Sequence, residues 1–180
     1  MIASVVKKVM PKNLMSYGGF GVPMTPDVLI IMGSKNDLPV GQKALDTLRE
    51  FGISCEIKVA SAHRTPKLVA ELVEKSDAKI FIAIAGLSAA LPGAIAAHTI
   101  RPVIGVPVSG NVNLDSVLSI VQMPPGIPVA AVGLDRGENA ALLAAQMLAL
   151  QDRSLEKKLL AHRKDQEAKV HADSSSLGAM

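Results

Sequence analysis

From residue 27 onward, short apolar β-rich runs alternate with helix-patterned segments, and no other feature constrains the fold as much. DVLIIMG (27–33), KIFIAIAG (79–86) and PVIGVPV (102–108) are continuous apolar stretches, the pattern of strands covered on both faces. SCEIKVA (54–60) and IPVAAVG (127–133) read as two further strands. Between them, residues 38–51 place Val40, Ala44, Leu48 and Phe51 on one helical side, with Gly52 as a stop. Residues 66–76 open a helix with Pro66, a residue suited to a first helical position. Helices are also predicted over 88–99, 113–121 and 138–150. With connections this short, alternation requires a parallel sheet joined by crossover helices on both faces. The prediction is one doubly wound α/β domain over residues 27–150.

The two ends differ from this core. Residues 1–26 carry Gly18, Gly19, Gly21, Pro23 and Pro26, which mark a flexible N-terminal extension outside the fold. They lack the apolar centre of a signal peptide, and no run in the chain is long enough to span a membrane. Residues 151–171 form a charged helical stretch, and 172–180 (ADSSSLGAM) read as a frayed tail. The helix over 138–150 is apolar nearly all round and needs cover on every side. The charged helix is therefore expected to reach a neighbouring subunit rather than lie only on its own domain.

Charge narrows the partners. The formal net charge is +3, with basic residues scattered and interleaved with acids over 156–170. Aromatics are only 2% of the chain, and Trp is absent. A nucleic-acid groove needs clustered cations and stacking rings, so no nucleic-acid partner is expected and small anions fit better. Cys55 is the only cysteine, which excludes an intrachain disulfide and suits a cytoplasmic setting. It is expected to be a buried structural thiol.

In an open parallel sheet, ligands bind beyond the carboxyl ends of the strands. That places GSKNDLP (33–39), SAHRTP (61–66), AGLSAALPG (85–93) and VPVSGN (106–111) at the potential site. Gly33 allows a sharp turn, Ser34 offers a hydroxyl, and Asp37 can accept from sugar hydroxyls; the same residues also suit a turn with a helix cap. No Gly-rich nucleotide loop of either common type is present. Ser61, Arg64 and the helix opening at Pro66 can hold a phosphate. His63 between them can move protons near neutral pH, or can simply tie down the loop. His98, at a helix end, and His162 and His171, on the charged tail, lack such a setting. No histidine pair has metal-ligand spacing, so no metal is expected.

Taken in order, MGSKNDLP, VASAHRTP, AGLSAALPG, PVIGVPV, SIVQMPPGIPVA and NAALLAAQML closely resemble the 5-(carboxyamino)imidazole ribonucleotide mutase family of purine biosynthesis. The resemblance covers about residues 27–150. It implies a three-layer flavodoxin-like sheet with an extra C-terminal helix, a homo-octamer with sites between subunits, and no metal or organic cofactor. It implies a ribonucleotide substrate whose carboxylate moves from an exocyclic nitrogen to a ring carbon through CO2. His63 would be the acid/base group, and Ser34, Asp37, Ser61 and Arg64 would contact the ribose phosphate. Gly33, Gly86, Ser88 and Leu91 would be further substrate contacts, and residues 122–128 a neighbouring loop over the site.

One stretch departs from the family pattern. Mutases commonly carry a histidine where this chain has Ala90, and a small pair where it has Leu87 and Ser88. A sister branch carboxylates aminoimidazole ribonucleotide directly with CO2, and Ser88 matches that branch. Arg64 matches the mutases. A flavin-binding module is the third reading, and it would need a stacking ring that only Tyr17, outside the predicted domain, could supply.

Overall fold

The computed structural model describes residues 25–177. Tyr17, Phe20 and the rest of the expected extension up to residue 24 lie outside these residues. Five parallel strands form one sheet: β1 (Val28–Met32), β2 (Cys55–Val59), β3 (Ile80–Ala85), β4 (Val103–Pro107) and β5 (Ala130–Ala131). Their order is β2-β1-β3-β4-β5. The crossovers are α1 (Leu38–Glu50), α2 (Pro66–Glu74), α3 (Leu91–Ala96) and α4 (Asn113–Val121), followed by α5 (Gly137–Ala149) and α6 (Arg153–Leu177).

Strand geometry turns the apolar runs into a two-sided core. Successive side chains point to opposite faces. Val28, Ile30 and Met32 of β1 therefore join Ile82, Ile84, Ile104 and the helices α1 and α5 on one side. Leu29 and Ile31 join Phe81, Ala83, Val103 and the helices α2 and α3 on the other. All residues of β1, β3 and β4 are buried. Truncating one of their large side chains would cost about 2–5 kcal/mol. α1 and α5 dock through Gly137, where an added Cβ would lie 2.1 Å from the Val40 carbonyl oxygen.

Several elements differ from expectation for local reasons. β5 is two residues long rather than spanning 127–133. Gly126 has φ 94°, and Pro128 has no amide to give a ladder, so pairing starts only at Ala130. α3 starts at Leu91 rather than 88, because Ser88 holds a left-handed backbone with φ 51°. Cys55 is half-buried, not buried, since β2 is an edge strand with one covered flank. Burial still pushes its thiol pKa up, against the pull of Arg49.

The C-terminal helix departs in two ways. α6 continues to Leu177, so residues 172–177 are helical where a frayed tail was expected; nothing before Gly178 breaks a helix. Its first turns fold back on their own domain, where Leu155 is buried and Lys158 donates to the Phe51 carbonyl at 2.7 Å. His162 meets the Phe51 ring edge-on at 5.5 Å between centroids. These turns supply cover for α5 that a neighbour was expected to give. The stretch beyond His162 is exposed.

Candidate active site

The strand order reverses between β1 and β3, and the crevice beyond their carboxyl ends is where this topology leaves room for a ligand. A cavity of about 350 Å³ opens there, in the range of small-ligand sites. The loops after β1, β2 and β3 enclose it. Gly33, Ser34 and Asp37 come from the first, Ser61, His63 and Arg64 from the second, and Gly86, Ser88 and Leu91 from the third. All nine residues singled out in the sequence thus line one cavity, although up to 58 positions separate Gly33 from Leu91.

The β1 loop is built as a reciprocal cap. The Ser34 hydroxyl accepts from the Asn36 amide at 3.2 Å, and Asp37 Oδ2 accepts from the Ser34 amide at 2.9 Å. The cap reading of this segment is met, and the same residues line the cavity. Gly33 does not adopt positive φ; its amide donates to the Ile84 carbonyl at 2.9 Å, and a Cβ there would meet Asp37 Oδ2 and Leu91 Cδ2. Asp37 is 7% exposed. That burial holds its carboxyl pKa above the ordinary 3.8, partly offset by the Ser34 amide and the Arg64 charge.

The β2 loop is a compact hydrogen-bonded turn. The Ser61 amide donates to the Thr65 hydroxyl at 2.9 Å, and the Thr65 amide returns to the Ser61 carbonyl at 2.9 Å. Arg64 Nε donates to the Ser61 hydroxyl at 3.3 Å, and its guanidinium reaches the Gly33 carbonyl at 2.8 Å. α2 then opens with Pro66, and no side chain caps its first turn. His63 is exposed, and among the described residues its ring has no hydrogen-bond partner. A histidine tying down the loop would have one; here Thr65 and Arg64 make the ties.

The third wall is small and apolar, with Ala85, Gly86, Ala89 and Ala90 beside the exposed Leu87. The Ser88 amide donates to the Asp115 carboxylate. Asp115 escaped sequence reasoning, as did the structural part played by Thr65; Asn36, inside GSKND, also lines the cavity. No signal in the sequence links Asp115 to a loop 27 positions earlier. The segment 122–128 does not line this cavity; Met123 packs beside Gly93 instead.

Other features carry less. A larger recess of about 620 Å³ lies at the amino ends of the strands, among Asp27, Lys79, Phe51 and Lys158. Its charges are already committed: Asp27 pairs with Lys79 at 2.9 Å, and Lys158 with the Phe51 carbonyl. Among the described residues, no three His, Cys, Asp or Glu side chains converge as metal ligands do. Among the described residues, no aromatic ring except His63 lines the 350 Å³ cavity, so they offer the flavin reading no Trp or Tyr platform.

Sheet order and site together define a flavodoxin-type α/β protein with a cavity at its topological switch point. The chain belongs to the AIR carboxylase family, whose model matches residues 27–169. It is 54% identical over 154 residues to the N5-carboxyaminoimidazole ribonucleotide mutase of Methanocaldococcus jannaschii, covering 85% of this chain and 98% of that protein. The protein of the same name from Pyrococcus horikoshii is 47% identical over 160 residues, covering 86% and 90% respectively. The crystal structure of Treponema denticola PurE superposes with a TM-score of 0.76 at 32% identity, covering 83% of this chain and 97% of that one.

Proposed function

We propose that this chain is a purine-biosynthetic mutase that moves a carboxylate from the exocyclic nitrogen of 5-(carboxyamino)imidazole ribonucleotide to the ring carbon. The observation that carries the reading is the placement of His63. Its ring stands free on the cavity rim between an anion corner, Ser61 with Arg64, and a small apolar wall. The names of the relatives at 54% and 47% identity support a mutase over a direct carboxylase.

Each group then has a task. Ser61, Arg64 and the first amides of α2 hold the phosphate, while Ser34 and Asp37 receive the ribose. Protonated His63 gives its proton to the exocyclic nitrogen as the nitrogen–carboxylate bond breaks, which leaves the amine and free CO2. The electron-rich ring carbon attacks that CO2 and forms the new carbon–carbon bond. Neutral His63 removes the ring proton and returns to its starting state. Gly86, Ser88 and Leu91, with their small neighbours, confine the CO2 between the two steps. Fixing the ring by its distant phosphate keeps the carbon within reach of the CO2.

Direct carboxylation of aminoimidazole ribonucleotide is the second reading. Ser88, together with Ala90 where mutases commonly carry histidine, favours it. The same residues would serve, without the first proton transfer.

We also infer a homo-octamer in the cytoplasm. Ile100 is fully exposed, and Leu114, Leu118 and Val121 make an exposed apolar stripe on α4. Such faces suit subunit contacts. No helix among the described residues is long and apolar enough to cross a membrane.

The test is His63→Asn, assayed for turnover and, separately, for substrate binding by titration. Turnover falls by at least about 100-fold while binding persists, because the phosphate corner is intact. A variant with near-parent rate overturns the acid/base role.

A further inference from the structure

The wall loop that closes the cavity has an unusual support. Ser88 adopts φ 51°, a conformation unfavourable for any residue with a side chain. Its neighbour Leu87 is 79% exposed and Ala90 is exposed, so apolar packing holds this turn only at Ala89. What faces the turn is the Asp115 carboxylate, which accepts from the Ser88 amide.

Asp115 is itself tied to its own helix start, where its amide donates to the Val112 carbonyl at 3.2 Å. It sits in the first turn of α4, and the next residue, Ser116, is buried. The Ser116 hydroxyl donates in the direction of the Val108 carbonyl at the end of β4 and the Asn113 carbonyl, each at 3.1 Å. Gly86 lies against Val108, where a Cβ would come within 3.9 Å of it. A continuous set of contacts thus runs from β4 through α4 to the wall. β4 neighbours β3, so the turn leaving β3 is braced from the adjacent crossover.

We propose that Asp115 is a positioning residue for the carboxylate transfer: through the Ser88 amide it holds residues 86–90 in the left-handed turn that confines CO2. The proposal rests on the mutase reading above. It assigns Asp115 no contact with substrate. Its effect is on partitioning: with the wall fixed, CO2 meets the ring carbon, and with the wall loose, CO2 escapes and free aminoimidazole ribonucleotide accumulates.

The experiment compares the parent with Asp115→Ala and Asp115→Asn, using 5-(carboxyamino)imidazole ribonucleotide corrected for its spontaneous decay. Three quantities are read: kcat and KM, the ratio of leaked aminoimidazole ribonucleotide to ring-carboxylated product, and hydrogen exchange in the peptide covering 86–90. Asp115→Ala lowers kcat by about tenfold, leaves KM within about threefold, raises leakage, and speeds exchange by about tenfold, the scale of one charge-assisted hydrogen bond. Asp115→Asn keeps an acceptor for the Ser88 amide and recovers most of the coupling.

Parent-like leakage and kcat in Asp115→Ala overturn the proposal, as does an Asn variant as impaired as the Ala variant. If the Ala variant does not fold, Asp115→Glu, one methylene longer, displaces the turn and raises leakage; parent-like coupling in the Glu variant overturns the proposal. If the parent forms no product, the mutase reading fails, and amide exchange still decides whether Asp115 holds the loop. Equal exchange in parent and variant shows that it does not.

Discussion

The Arg64 guanidinium donates to the Gly33 carbonyl at 2.8 Å, tying the loop after β2 to the loop after β1 across 31 positions of sequence. The same side chain reaches the Ser61 hydroxyl. One residue thus ties Ser61 to the loop after β1 and sets the distance between two walls. Arg64→Ala is expected to raise KM by about 10- to 100-fold, from the loss of charge-assisted bonds. Arg64→Lys keeps the charge but lacks the planar fork, so it recovers only part of the loss. A lysine variant kinetically equal to the parent would show that charge alone is used.

Asp37 makes a pH-dependent contribution of definite sign. Its folded pKa is raised above the ordinary 3.8 by burial, so the folded chain holds this proton more tightly than the unfolded chain. The group's contribution is therefore most favourable below the unfolded value and is lost as pH rises through the folded one. Asp37→Asn removes the titration while keeping an acceptor for the Ser34 amide. Unfolding in denaturant at about pH 3 and about pH 7 is expected to show the Asn variant gaining on the parent as pH rises. A difference independent of pH contradicts this account.

Gly137→Ala tests how α5 is seated. Its Cβ would fall 2.1 Å from the Val40 carbonyl and 3.2 Å from the Ala44 amide nitrogen, both backbone atoms of α1. Neither can turn aside, so the helices must separate. The expected loss is about 2–3 kcal/mol in equilibrium unfolding. A change below about 0.5 kcal/mol would mean that the helices slide apart without cost.

How much of this was legible follows from what each residue answers to. Strands β1, β3 and β4 answer to burial on both faces, which writes itself as runs such as VLIIM and IFIAIA. The short β5 answers to Gly126 and Pro128, whose effect on the ladder depends on where the neighbouring strand stands. The site was legible as positions, because Ser34, His63, Arg64 and Ser88 all follow strands and a parallel sheet gathers strand ends. The ties between loops were not. Ser88 at positive φ meets a carboxylate from another crossover, and local propensity carries no trace of that contact. The return of α6 along its own domain likewise depends on Lys158 and His162 meeting Phe51, more than 100 positions away.

In a mutase, the carboxylate already on the substrate nitrogen is the one transferred, and a two-substrate assay tests this directly. Purified protein is given, without ATP, either 5-(carboxyamino)imidazole ribonucleotide or aminoimidazole ribonucleotide with bicarbonate, and formation of the ring-carboxylated nucleotide is followed. Rapid product is expected from the carboxyamino substrate and little from aminoimidazole ribonucleotide at modest bicarbonate. Turnover only with aminoimidazole ribonucleotide and bicarbonate would contradict the mutase reading and make the chain a direct carboxylase.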